Sequence, residues 1–312
     1  MDELYDNAAE SAAAWAPEPA GDVPIATAAA PPRRPRLWLH GLLFGLTIVS
    51  TVVAGAMQQG VHPLHDPAGL IVGLPFSVAL LAILMTHEMG HYLTSRYHGI
   101  RATLPYFLPA PPIPPLFGTF GAFIRMDSPI LDRRALIDVG ASGPIAGFVV
   151  AVAATAIGLH WSTITAADAS SLVHLGEPLA LKIVQSLVLG PVPAGQDIVI
   201  HPVGYAGWIG MFVTMLNLIP IGQLDGGHVA YAIFGERHRQ ISLVMVGVLI
   251  VLGYFAWPGW FMWAVLPMVF GLRHPPLLEP HTPLDPLRKA IGWTALALFV
   301  LTFIPVPFSL SP

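Results

Sequence analysis

From residue 37 to residue 306 the chain is a succession of apolar runs, and those at residues 37–57, 70–97, 135–159 and 205–234 reach the roughly 20 residues that a helix needs to cross a bilayer. A bilayer core offers no water to backbone amides, so such runs must satisfy their hydrogen bonds internally, as helices. Further apolar runs follow at 241–257, 260–272 and 290–306, while residues 179–189 are shorter and suit the membrane interface. Composition agrees, with 54% hydrophobic against 10% charged residues. The expected fold class is an all-α polytopic membrane protein of about six to seven transmembrane helices over residues 37–312, with extra spans at 240–306.

Residues 1–36 differ in kind. They are rich in Ala, Pro and acid and end in the basic run Arg33, Arg34, Arg36, which reads as a disordered cytoplasmic tail. No signal-peptide pattern occurs, and the acidity argues against an organellar transit peptide, so a prokaryotic cytoplasmic membrane is the expected location. With seven crossings and the tail inside, every Lys and Arg except Lys182 falls on the cytoplasmic side, as the positive-inside rule requires. Outside the tail the charges nearly balance, which gives no reason to expect a nucleic-acid partner. The absence of cysteine excludes disulfides, thiolate metal sites and cysteine nucleophiles.

Between the second and third runs, Pro105, Pro109, Pro111, Pro112, Pro114 and Pro115 forbid a helix. Residues 117–126 read as a short strand pair, a β-hairpin-like element in an apolar setting. Irregular backbone at membrane depth is tolerated only against protein or a water-filled cavity, so residues 101–127 form a candidate chamber wall; an interfacial loop is the alternative.

The ionisable residues inside the runs carry the chemistry. The sequence His87-Glu88-Met89-Gly90-His91 puts two imidazoles at i and i+4, on one helix face one turn apart. That spacing lets both bind one zinc ion, and Glu88 beside them can act as general base toward water. Charged and imidazole groups in an apolar helix cost several kcal/mol, on the order of 3, unless they pair or bind a metal. Zinc wants a third protein ligand, and Asp225 is a carboxylate in the fourth run, where Pro220, Gly222, Gly226 and Gly227 are expected to break the helix. Pairing with an arginine or capping a helix are its alternatives. Asn217 suits a hydrogen-bond donor to the oxyanion of a tetrahedral intermediate, or equally a partner for backbone freed by Pro220. His228 is a candidate to orient Asp225, whereas His62, His65, His160, His174 and His201 fall in external loops as solvated or capping groups.

Taken together, His87-Glu88-Met89-Gly90-His91, then Asn217-Leu218-Ile219-Pro220 and Leu224-Asp225-Gly226, resemble the paired motifs of the site-2 protease family, M50-type intramembrane zinc metalloproteases. The segment from Gly140 to Gly147 looks like the family's small-residue stretch, and close helix packing explains it equally. The resemblance covers about residues 70–235. It implies one zinc per chain held by His87, His91 and Asp225, Glu88 as catalytic acid/base, Asn217 as an auxiliary group, and a transmembrane protein as substrate. The loop after the third run is too short for the PDZ-type domain of many relatives. Three other classes compete. A di-iron oxygenase needs further histidine boxes, and no HxxHH occurs. A membrane zinc transporter gives Glu88 and Asn217 no task, and a catalytically silent scaffold has no reason to keep all the motif residues.

Overall fold

A computed structural model describes residues 36–112, 117–166, 173–272 and 274–310. Almost all of the tail read as disordered, together with Pro114, Pro115 and Arg273, lies outside them. Nine α-helices and six short strands occur among the described residues. In chain order the helices are α1 (Leu37–Gln58), α2 (Leu74–Tyr97, entered through a 3-10 turn at Ala68–Gly73), α3 (Arg133–His160), α4 (Leu179–Val188), α5 (Pro202–Asn217), α6 (Asp225–Phe234), α7 (His238–Phe255), α8 (Gly259–Phe270) and α9 (Pro286–Thr302). Four stretches among the described residues are helical, long and apolar enough to cross a membrane: Leu37–Gln58, Ala68–Tyr97, Arg133–His160 and Asp225–Phe255.

Small residues set the helix packing. Without water to squeeze out, helices in lipid associate through close backbone approach, which bulky side chains prevent. On α1, a Cβ at Gly55 would stand 2.8 Å from the Gly73 carbonyl and 2.9 Å from Phe76 Cβ. Thr51 Oγ1 lies 2.6 Å from Ser77 Oγ, joining α1 to α2 by a buried hydroxyl pair. Gly90 of α2 faces the Ser142 carbonyl of α3, and Gly207 and Gly210 of α5 face Ala151, the latter also Ile83. Three helices, α2, α3 and α5, thereby form the centre, filled by Phe76, Leu80, Trp208, Ile209 and Met211. Trp208 Nε1 donates to the Gly176 carbonyl at 2.7 Å, so the buried indole leaves no polar atom unpaired. At the ends of α2, α3 and α9, Asp138 accepts from His98 at 2.9 Å and from Arg288 at 2.7 Å, and Arg288 also reaches Asp285 at 2.7 Å.

Several expectations need correction. The run at 205–234 is two helices, α5 and α6, separated by the loop 218–224. Pro220 and Gly222, the latter at φ +54, make that break. Gly226 and Gly227 do not; they lie inside the first turn of α6, where a Cβ would strike the carbonyls of Leu218 and Ile221. Strand pairing is also wider than residues 117–126. Strand β2 (Thr119–Phe123) pairs antiparallel with β1 (Tyr106–Pro109), which comes from inside the proline-rich stretch, in the register Tyr106 to Phe123 and Leu108 to Gly121. The ladder slips at Pro109, which has no N–H to donate. Two more two-stranded sheets occur, β3 (Thr163–Ala166) with β5 (Gln196–Val199) and β4 (Val173–Leu175) with β6 (Phe308–Leu310), so the fold is helical with three small sheets. His160 closes the last turn of α3 rather than lying in a loop, while His201 caps α5 by accepting from Val203 N.

Candidate metal centre

His87 and His91 project from the middle of α2 and are buried, at 3% and 6% exposed, with Glu88 between them at 6%. Room for the two rings comes from α3. A Cβ at Gly143 would overlap the imidazole of His91, and one at Gly147 would stand 3.0 Å from His87 Cβ. The small-residue segment of α3 is thus the seat of both histidines, a more particular role than helix packing alone. Its backbone also orients one of them: His91 Nδ1 lies 2.8 Å from the Val139 carbonyl, which can only accept. His91 therefore carries its hydrogen on Nδ1 and turns a bare Nε2 inward, the state a metal ligand requires.

The loop 218–224 delivers the third group. It folds back on α6 because Gly226 and Gly227 have no side chain to obstruct it, and Asp225 then opens α6 facing α2. Asp225 Oδ2 lies 3.3 Å from His87 Nε2 and 3.2 Å from His91 Nε2, and the two Nε2 atoms are 3.2 Å apart. These three residues are the group that could hold a metal ion among the described residues. Tetrahedral zinc holds nitrogen and oxygen ligands at about 2.0–2.1 Å, which sets them about 3.3 Å apart. The near-equilateral triangle of donors fits that figure. Its chemistry fits as well, since a bare imidazole nitrogen and a carboxylate oxygen crowd together only when a cation or proton lies between them.

Glu88, Asn217 and the hairpin complete the site. A cavity of about 240 Å³ is lined by His87, Glu88, His91, Asn217 and Asp225, and also by Ala122, Phe123, Ile124 and Met126. Ile124, just past β2, lines this cavity together with Glu88. Asn217 Nδ2 lies 3.2 Å from His87 Nε2, so the amide faces the site. The five residues singled out from the sequence converge here, and from the stretch 101–127, read as a candidate chamber wall, Ala122, Phe123, Ile124 and Met126 line the cavity. His228 departs from expectation. It lines the cavity but forms its hydrogen bond with His274, at 2.7 Å, instead of orienting Asp225. The Val139 carbonyl and His274 were not legible as site residues; their only signals were the Gly140–Gly147 segment and an unexplained His-Pro-Pro sequence at 274–276.

Comparison with known proteins bears on the same stretch. A sequence model described as "Peptidase family M50" matches residues 75–255, which contain all five residues. The chain is 33% identical over 257 residues to "Probable zinc metalloprotease EGY1, chloroplastic" of Arabidopsis thaliana, covering 78% of this chain and 44% of that protein. Against "Probable zinc metalloprotease EGY2, chloroplastic" of the same plant it is 30% identical over 288 residues, 88% of this chain and 50% of the relative. The chain spans about half the length of these curated relatives. No solved structure matches it. With the family match covering more than half of the chain, and both zinc-site motifs inside it, the protein belongs to peptidase family M50.

Proposed function

We propose that the protein is an intramembrane zinc metallopeptidase that hydrolyses a peptide bond within or beside a transmembrane segment of another membrane protein. The observation that carries this reading is the triangle of His87, His91 and Asp225 with buried Glu88 beside it, sunk among apolar helices. His87, His91 and Asp225 would hold one zinc ion per chain. Zinc so bound supplies Lewis acidity, activating water and polarising a carbonyl. Glu88 accepts the proton of the attacking water and returns it to the departing amine, the task of a general acid/base. The Val139 carbonyl holds His91 in the tautomer that turns its Nε2 toward Asp225. Asn217 places an amide donor at the cavity, suited to the oxyanion that develops there.

Peptide bonds inside a helix are hydrogen-bonded and shielded, so a transmembrane substrate must unwind to be cut. The hairpin supports a way of holding it. Strand β1 is engaged with β2, while residues 122–124 of β2 and its continuation line the cavity, where an extended peptide can add as a further strand. The wider reading includes the lipid bilayer as partner, α5, α8 and α9 as further crossings, six to seven in total, an inside amino terminus and a site toward the cytoplasmic face of a prokaryotic membrane. Metal analysis by mass spectrometry of detergent-purified protein tests the core of it. About one zinc per chain, lost in His91→Ala and in Asp225→Ala, is the expected result. Zinc indifferent to Asp225→Ala, or two irons per chain, would remove the three-ligand centre and the peptidase with it.

A further inference from the structure

We propose that His228 is a further substrate-contacting residue of this site, presenting a bare imidazole Nε2 to the cavity as acceptor for a main-chain N–H of the extended peptide, with His274 as the positioning residue that fixes its tautomer. The inference deepens, and rests on, the peptidase reading above.

A chain of hydrogen bonds dictates the tautomers. His274 Nδ1 lies 2.6 Å from the Pro275 carbonyl, and a carbonyl only accepts, so Nδ1 carries the hydrogen. Neutral His274 is then bare at Nε2, which lies 2.7 Å from His228 Nδ1. His228 must therefore donate from Nδ1, and its own Nε2 is left without a hydrogen. Burial holds His274 below the ordinary histidine pKa, which keeps the neutral form in place at neutral pH. The ring of His274 cannot turn freely, because Tyr231 stacks on it at 4.5 Å and 10° and His238 stands edge-on at 6.2 Å.

The same geometry aims His228. Its Cβ rests over Gly140 of α3, where an added Cβ would come within 2.8 Å. Three imidazoles line the cavity: His87 and His91 turn Nε2 toward Asp225, whereas His228 Nε2 has no hydrogen-bond partner among the described residues and is not one of the sealed, unpaired polar atoms. An uncommitted acceptor in a cavity that residues 122–124 of the hairpin also line complements the N–H groups of an extended peptide held there. Asp225 is committed to the ligand histidines and Glu88 to the water, so neither is available for that contact.

Two measurements test this. Imidazole nitrogen NMR of histidine-15N-labelled protein in micelles, with His228 assigned from its missing signals in His228→Gln, should show Nδ1 protonated and Nε2 bare in the parent and a mixed tautomer in His274→Ala. A protonated Nε2 in the parent overturns the proposal outright. With a quenched-fluorescence peptide library as probe, His228→Asn keeps a polar atom toward His274 but loses the outer acceptor, and KM should rise about tenfold with kcat nearly unchanged. His228→Gln places its amide oxygen near the position of Nε2 and should restore KM, with one zinc per chain in every variant. Equal KM in parent and His228→Asn overturns the substrate contact. A parent no more active than Glu88→Gln overturns the peptidase reading and the contact with it, while the nitrogen spectrum still decides the tautomer.

Discussion

Gly143→Ala should weaken zinc binding without touching a ligand. The added Cβ would come closer than 3.0 Å to three atoms of the His91 ring, a separation that folded proteins do not sustain. His91 cannot simply swing away, because its Nδ1 is tied to the Val139 carbonyl, one turn before Gly143 on α3. Either that hydrogen bond breaks or α2 moves off α3, and overpacking of this kind costs about 1–3 kcal/mol. If the cost falls on the liganded geometry, zinc affinity drops by about 5- to 150-fold at 1.4 kcal/mol per decade. Competition with a chelator of known affinity measures it, and circular dichroism checks that the helices remain. Gly45→Ala in α1 is the control, since nothing lies within 4 Å of its Cβ. Parental zinc affinity in Gly143→Ala would refute the claim that α3 seats the histidines.

Four further outcomes follow from the same geometry. Glu88→Gln should keep one zinc per chain while cleavage of a reporter peptide falls by about 10²–10⁴, the usual share of a general base; retained turnover would assign the proton transfer elsewhere. Gly226→Ala, whose Cβ meets the Leu218 carbonyl, should displace Asp225 and lower zinc content, read by mass spectrometry of the purified variant. Proline at Thr119 or Ala122 removes a main-chain donor from β2 and should slow cleavage with zinc retained; unchanged rates would retire strand addition as the mode of substrate binding. Asp285 caps α9 by accepting from Arg288 N and pairs with its guanidinium, which together hold its carboxyl below the ordinary 3.8. The unfolded chain then binds more protons just below pH 3.8, so this contribution is complete above that value and fades as pH falls through the lower folded pKa. Thermal melts of the parent and Asp285→Asn should therefore differ at pH 6 and converge in acid; a gap that persists in strong acid would assign the difference to packing.

Much of the site was legible because its chemistry is expensive in an apolar setting. His87, Glu88 and His91 stand out in α2, and Asp225 stands out after it, since nothing in hydrocarbon accounts for such groups except a metal or a partner. What could not be read was their support. The Val139 carbonyl is a backbone atom and has no sequence signature. His274 stands 46 residues from His228 and meets it only through the return of the chain after α8. Gly226 and Gly227 were misjudged as helix breakers because glycine permits both a break and a close approach, and only the neighbouring carbonyls of the loop decide between them.

Local patterns already specify that the chain is mostly helical with runs long and apolar enough to cross a membrane, that α2 carries two imidazoles on one face, and that the prolines of the stretch 101–127 forbid a helix. Each follows from a local rule: run length, a period of 3.6 residues, or the missing N–H of proline. Packing across the chain is what brings Asp225 onto the histidines, lets glycines of α3 make room for them, draws β1 from within the proline-rich stretch, and turns His228 to His274. Those are contacts between residues distant in the chain, and their energy depends on which backbones can approach closely, a property no local pattern encodes.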